Sequence, residues 1–116
     1  MTAATYDFQI EQGATLSKNF VWKTSDGAPI DLTNYAGKLQ VRSSVTSDTV
    51  LLEMSTQNGR IQLGGTAGTI VLAMANTETS AITWLRGVYS FELTAPDGTV
   101  TRLLDGSISV SREIVR

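Results

Sequence analysis

The stretch GVYSFELTAPDGTVTRLLDGSISV, Gly87–Val110, decides how the chain is read. Tyr89, Phe91 and Leu93 alternate with Ser90, Glu92 and Thr94, the period of a strand with one buried face. Pro96-Asp97-Gly98 supplies turn chemistry: proline presets a negative φ and glycine accepts a positive one. A second long strand follows, with Val100, Leu104, Ile108 and Val110 in one phase. Arg102 falls in that apolar phase and Leu103 in the other. Either a bulge shifts the register there, blunting an edge, or Leu103 stands on the outer face as a contact for another subunit. A two-stranded ribbon cannot hold itself together in water, so the rest of the chain must supply a partner sheet.

Working outward, the same period recurs. Tyr6, Phe8 and Ile10 alternate with polar residues up to Gln12-Gly13, and Leu16, Phe20 and Trp22 share a phase that Lys18 interrupts. Lys18 is therefore expected near a sheet edge. Leu39 and Val41 face inward between Lys38, Gln40 and Arg42, and Leu32 and Tyr35 anchor an irregular crossing segment before them. Val50–Met54 and Arg60–Leu63 flank Asn58-Gly59, a strong hairpin signal. Gly64–Gly68 reads as the next turn, followed by Ile70, Leu72 and Met74 in phase. The period changes once. Asn76 or Thr77 can cap a helix, Glu78 suits its first turn, Ile82 and Leu85 are three apart, and Gly87 can end it, which predicts one short crossing helix near 77–85. Roughly eight or nine strands at short, regular turn intervals predict an all-β chain, an antiparallel two-sheet sandwich of immunoglobulin-like type, with a small barrel as runner-up. One domain covers 1–116, and 1–4 and 112–116 are expected as extended arms.

Composition narrows the chemistry. At 116 residues the chain can bury a core without staples, and it has no cysteine and no histidine. Thiolate metal sites, disulfides and imidazole catalysis are thereby excluded. The net charge is −2, and the nine basic residues are scattered, not clustered into a nucleic-acid footprint. No apolar run approaches the roughly 20 residues of a membrane-spanning helix, and the start carries no basic region followed by an apolar one. Neither nucleic acid, nor membrane, nor a small-molecule substrate is expected as a partner.

The candidate sites are few. Gly64–Thr69 lacks the lysine and helix of a phosphate cradle and reads as a turn. Asp26, Asp97 and Asp105 precede glycines, as turns and bulges require, while Asp7, Glu11, Glu53 and Glu92 fall at outward strand positions. No two of these carboxylates are paired by spacing, and no loop has calcium-ligand spacing. No catalytic, cofactor-binding or metal-binding residue is assigned, no cofactor is expected, and the chain is read as no enzyme. Trp22 and Tyr89 are expected in the core, and Trp84 as a staple between helix and core or, alternatively, as a platform for host glycans. The candidate interface residues are Arg102, Leu103, Trp84, Ile114 and Val115.

The order of segments also carries a resemblance. Q-G-A-T (Gln12–Thr15), F-V-W, A-P-I-D-L-T-N-Y (Ala28–Tyr35), L-Q-V-R-S (Leu39–Ser43), N-G-R-I-Q-L, G-T-I-V-L, a short helix, G-V-Y-S-F-E-L and the closing D-G-T-V-T-R-L-L-D-G-S-I-S-V-S-R-E-I-V-R follow one another. This resembles the small immunoglobulin-like sandwich proteins of tailed phages and prophages, and is similar to the N-terminal domain of phage baseplate upper proteins. The resemblance runs from Tyr6 to Arg116, and its baseplate members continue into stalks and receptor-binding domains. It implies a structural virion protein, an adaptor or ring subunit of the tail, baseplate or fibre-attachment region. Its expected partners are other virion proteins and copies of itself, and its place is the virion, after the host cytoplasm. A capsid decoration protein and, from another class, a carbohydrate-binding module are the alternatives.

Overall fold

The computed structural model describes residues 4–24 and 26–114. The strands are β1 (Ala4–Thr5), β2 (Phe8–Glu11), β3 (Leu16–Val21), β4 (Ala36–Arg42), β5 (Val50–Ser55), β6 (Ile61–Leu63), β7 (Thr69–Met74), β8 (Arg86–Thr94) and β9 (Val100–Ser111). A 3-10 turn, Gly65–Ala67, lies between β6 and β7, and one helix, α1 (Asn76–Ser80), lies between β7 and β8.

One sheet has the order β1-β9-β8-β4-β5, with β2 also on β9, and the other the order β3-β7-β6. The chain is an all-β, immunoglobulin-like two-sheet sandwich with a single short helix. Within the sheets the pairings are antiparallel except at the start, where β1 and β2 run parallel to β9. A parallel neighbour cannot be reached by a tight turn. β1 and β2 therefore lie beside β9, with six strands of the fold between them in sequence.

The core sits where the alternating faces meet. Along β8, Tyr89, Phe91 and Leu93 are buried while their neighbours are half-exposed, and Ile70, Leu72 and Met74 do the same on β7. Phe91 lies between the sheets with no exposed surface. Burying one such side chain is worth about 1.5–3 kcal/mol, and this term outweighs the ordering cost of strands that are individually unstable.

Two local expectations change. Asn58-Gly59 does not close a hairpin: β5 pairs with β4 in one sheet, and β6 with β7 in the other. The Asn58 side chain takes over the hydrogen bonds that a ladder would supply. Its Oδ1 accepts the N–H groups of Ser55 (2.9 Å) and Arg60 (3.0 Å), and its Nδ2 donates to the Glu53 carbonyl (3.0 Å). The turn becomes a corner that carries the chain from one sheet to the other. The helix is also shorter than 77–85. It stops at Ser80 because the next residues are already tied elsewhere: Gln12 Nε2 donates to the Ile82 carbonyl (3.0 Å), and the Val110 N–H to the Leu85 carbonyl (2.8 Å). Its first turn is closed not by a side chain of Asn76 or Thr77 but by Glu78 Oε1, which accepts the Ala75 N–H (2.9 Å).

Candidate interaction surface

The two candidate interface residues of β9 are explained by its register. Phe91 faces Leu104 and Glu92 faces Arg102, so Leu103 is one residue too many and forms a β-bulge. The bulge, not an exposed leucine, resolves the anomaly. Leu103 and Leu104 both pack against the core, while Arg102 turns to the outer face. The phase flips with it: Val100, expected in line with Leu104, is outward and 56% exposed.

Beside the bulge, at Leu104, the described pairing of β1 with β9 begins, and β1 and β2 line β9 as far as Ser111, with β8 on its other side. An apolar groove of about 270 Å³ opens at that bulge, lined by Phe20, Trp22 and Ile70 from one sheet and Ala4, Leu103 and Leu104 from the other, with the half-exposed Val21 at its rim. Trp22 is thus half-buried at this mouth, not sealed in the core.

Beyond the groove the mouth is shut by aromatic packing. The Tyr6 ring stacks near Phe8 (centroids 5.8 Å apart) and meets Phe20 edge-on at 5.4 Å. Lys18, on the edge strand β3, holds its ammonium 6.0 Å from the Phe8 centroid, as its interruption of the apolar phase predicts. The buried Tyr89 hydroxyl donates to the Tyr6 carbonyl, the Tyr6 N–H to the Asp105 carbonyl (2.8 Å) and the Ser107 N–H to Asp7 Oδ1 (2.8 Å). Burial, then the nearby Asp7 charge, pushes the Tyr89 phenol well above its ordinary range. Asp105-Gly106 therefore marks no turn. It lies mid-strand, where a side chain at Gly106 would collide with the Tyr6 carbonyl oxygen.

The outer face of the larger sheet carries a second, polar depression of about 510 Å³ between Lys38, Gln40 and Arg42 on β4 and Arg102 and Asp105 on β9. Arg42 is spoken for: its guanidinium donates to the Ser47 carbonyl (2.8 Å) and to Gln40 Oε1 (3.0 Å). Glu92 separates Lys38 from Arg102 along one cross-strand row. The depression is thus a mixed-charge sheet face, lined by Glu92 and Asp105 as well as by Lys38, Arg42 and Arg102.

The remaining candidates are not brought together with Arg102 and Leu103. Trp84 packs half-buried against the core, in the connection after α1. Ile114 is 88% exposed beyond the far end of β9, and Val115 lies outside the described residues. Among the described residues no group of three or more His, Asp, Glu or Cys could hold a metal, and Arg60–Glu78 (2.6 Å) is the ion pair.

Two polar residues not singled out by pattern organise the opposite end. Thr79, fully buried, donates its hydroxyl to the Ala14 carbonyl (2.9 Å) and accepts the Gly13 N–H (3.1 Å), while Gln12 Oε1 accepts the Glu113 N–H (3.0 Å). A hydroxyl in a capping-type N-T-E-T-S string gives no sign of a partner 65 residues away.

No protein-family model matches the chain, and a comparison with curated proteins finds no match. Among solved structures it is similar to extracellular domains 3–5 of Drosophila OTK, with a TM-score of 0.37 and 15% sequence identity over 90% of this chain and 32% of that one. The chain spans about a third of that structure's length.

Proposed function

We propose that the chain is a structural protein that works by protein–protein contact, and that it serves as an adaptor or ring subunit in the tail, baseplate or fibre-attachment region of a tailed-phage virion. The supporting observation for contact is the apolar groove of about 270 Å³ beside the β9 bulge, where Phe20, Trp22, Leu103 and Leu104 come together at the surface. The phage assignment is supported by the order of segments from Gln12-Gly-Ala-Thr to Asp97-Gly-Thr-Val-Thr-Arg-Leu-Leu-Asp-Gly. In such a particle, contacts between copies repeat around a symmetry axis.

Mass spectrometry of purified particles tests the assignment. The expected result is the chain at a fixed copy number matching the particle's symmetry; its absence from mature particles would overturn the proposal. Density for the chain on the head lattice in a particle map would make it a capsid decoration protein instead.

A further inference from the structure

We infer that Asn58-Gly59 is a self-modification site, at which asparagine is converted to aspartate or isoaspartate, and that the hydrogen bonds of the folded corner hold this reaction closed.

The chemistry lies in the dipeptide. The Gly59 backbone nitrogen attacks Cγ of the Asn58 side-chain amide. The new N–Cγ bond closes a five-membered succinimide, the Cγ–Nδ2 bond breaks, and ammonia leaves with the Gly59 amide proton. Water then opens the ring at one of its two carbonyl carbons, and the nitrogen regains a proton. Opening at Cγ leaves a main chain that runs through isoaspartate's rival, aspartate; opening at the main-chain carbonyl leaves isoaspartate, in which the chain runs through Cβ and Cγ. Only water is consumed. Glycine presents its nitrogen with no side chain in the way and with the widest choice of backbone angles. The other asparagines precede Phe20, Tyr35 and Thr77, whose side chains crowd the same attack.

The fold both demands this dipeptide and restrains it. Gly59 has a φ of 79°, and a Cβ there would meet nothing within 4 Å, so backbone angle and not crowding keeps a glycine at the corner. Both residues are exposed, so burial does not keep water from them. The restraint is hydrogen bonding. Asn58 Oδ1 is held by the Ser55 and Arg60 N–H groups and Nδ2 by the Glu53 carbonyl, while the Asn58 N–H donates to Oγ of the buried Ser55 (3.1 Å). Arg60 reinforces the same frame, donating to the Glu53 carbonyl (3.1 Å) and to Glu78 (2.9 Å). Ring closure makes Cγ tetrahedral and expels Nδ2, so the side-chain bonds must be given up first. Neither product restores them. Aspartate sets a carboxylate oxygen against the Glu53 carbonyl, acceptor against acceptor, and isoaspartate has no side chain of the length that bridges Ser55, Arg60 and Glu53. Conversion therefore proceeds from opened states of the corner and accumulates irreversibly with each opening.

The test compares the folded full chain with the blocked peptide Ser-Thr-Gln-Asn-Gly-Arg-Ile, the sequence of residues 55–61, at one temperature and mildly alkaline pH. Peptide mapping with mass spectrometry follows both products at Asn58. The expected result is a reaction at least about tenfold slower in the folded chain than in the peptide, and equal rates once guanidinium chloride unfolds the chain. Ser55→Ala, which removes the Oγ acceptor, should move the folded-chain rate towards that of the peptide while the circular dichroism spectrum stays that of the parent. If that variant does not fold, Arg60→Ala, at a half-exposed position, makes the same comparison. Chains isolated with isoaspartate at position 58 should melt below the parent. A folded chain that reacts as fast as the peptide, a peptide that does not react, a folded variant no faster than the parent, or an isoaspartate chain with the parent's melting temperature would overturn the inference.

Discussion

At the scale of single residues, a few buried polar side chains tie together backbone segments that lie far apart in sequence. Thr79 donates to one strand-turn carbonyl and accepts from the adjoining N–H, so its hydroxyl satisfies two backbone groups of Gly13-Ala14. Thr79→Val keeps the shape and strands both, and is expected to cost about 1–3 kcal/mol in a denaturant titration. Tyr89 does a comparable job at the other end through its bond to the Tyr6 carbonyl. Its folded pKa lies above the ordinary value near 10, so the folded state holds the proton that the unfolded chain releases first. The linked stability is therefore complete below pH 10 and falls as pH rises beyond it. Tyr89→Phe should lower stability at neutral pH by about 1 kcal/mol and remove this part of the alkaline decline, both visible in thermal melts across pH.

At the scale of elements, β9 shows what one extra residue does. Leu103 inserts between the rows Phe91–Leu104 and Glu92–Arg102 and reverses the side-chain phase on its Val100 side. Deleting Leu103 would bring Arg102 and Leu104 into plain alternation without changing either cross-strand partner. The expected outcome is a folded chain with the Phe91–Leu104 and Glu92–Arg102 rows both intact in nuclear Overhauser spectra. The α1 helix is tied to the start of β6 by Arg60 and Glu78. The Ala75 N–H first, and Arg60 next, hold the Glu78 carboxyl below its ordinary value. A depressed folded pKa adds stability above pH ~4.5 that disappears as pH falls through the lowered value. Glu78→Gln should therefore flatten the acid limb of the stability profile, and an unchanged limb would show the pair to be inert. The string Gly87–Thr94 was legible as a strand because alternation is a local property. The bulge was legible only as two alternatives, since its outcome depends on which partner residue each β9 position meets.

At the scale of the whole molecule, the corner at Asn58 decides the sandwich. Were Asn58-Gly59 a hairpin, β6 would extend the larger sheet, and β7 would lose the neighbour on its far side from β3; the observed corner gives each sheet its own strands. Asn58→Ala removes the side-chain bonds to Ser55, Arg60 and Glu53. It should cost about 1–3 kcal/mol in a single cooperative transition, since the two sheets share one core. What the amino-acid sequence determined by itself was the local part: the β period, the turn at Pro96-Asp97-Gly98, the inward positions of Leu39, Val41, Phe91 and Ile108, and, through the absence of cysteine and histidine, the chemistry denied to the chain. Only the tertiary structure decided that Asn58-Gly59 is a corner, that the first strands run parallel to the last, that Thr79 reaches Ala14, and that Trp22 and Leu103 share one mouth. Period and turn chemistry act between residues a few positions apart. The latter facts are pairings across many tens of residues, selected by how the two sheets bury one another's faces.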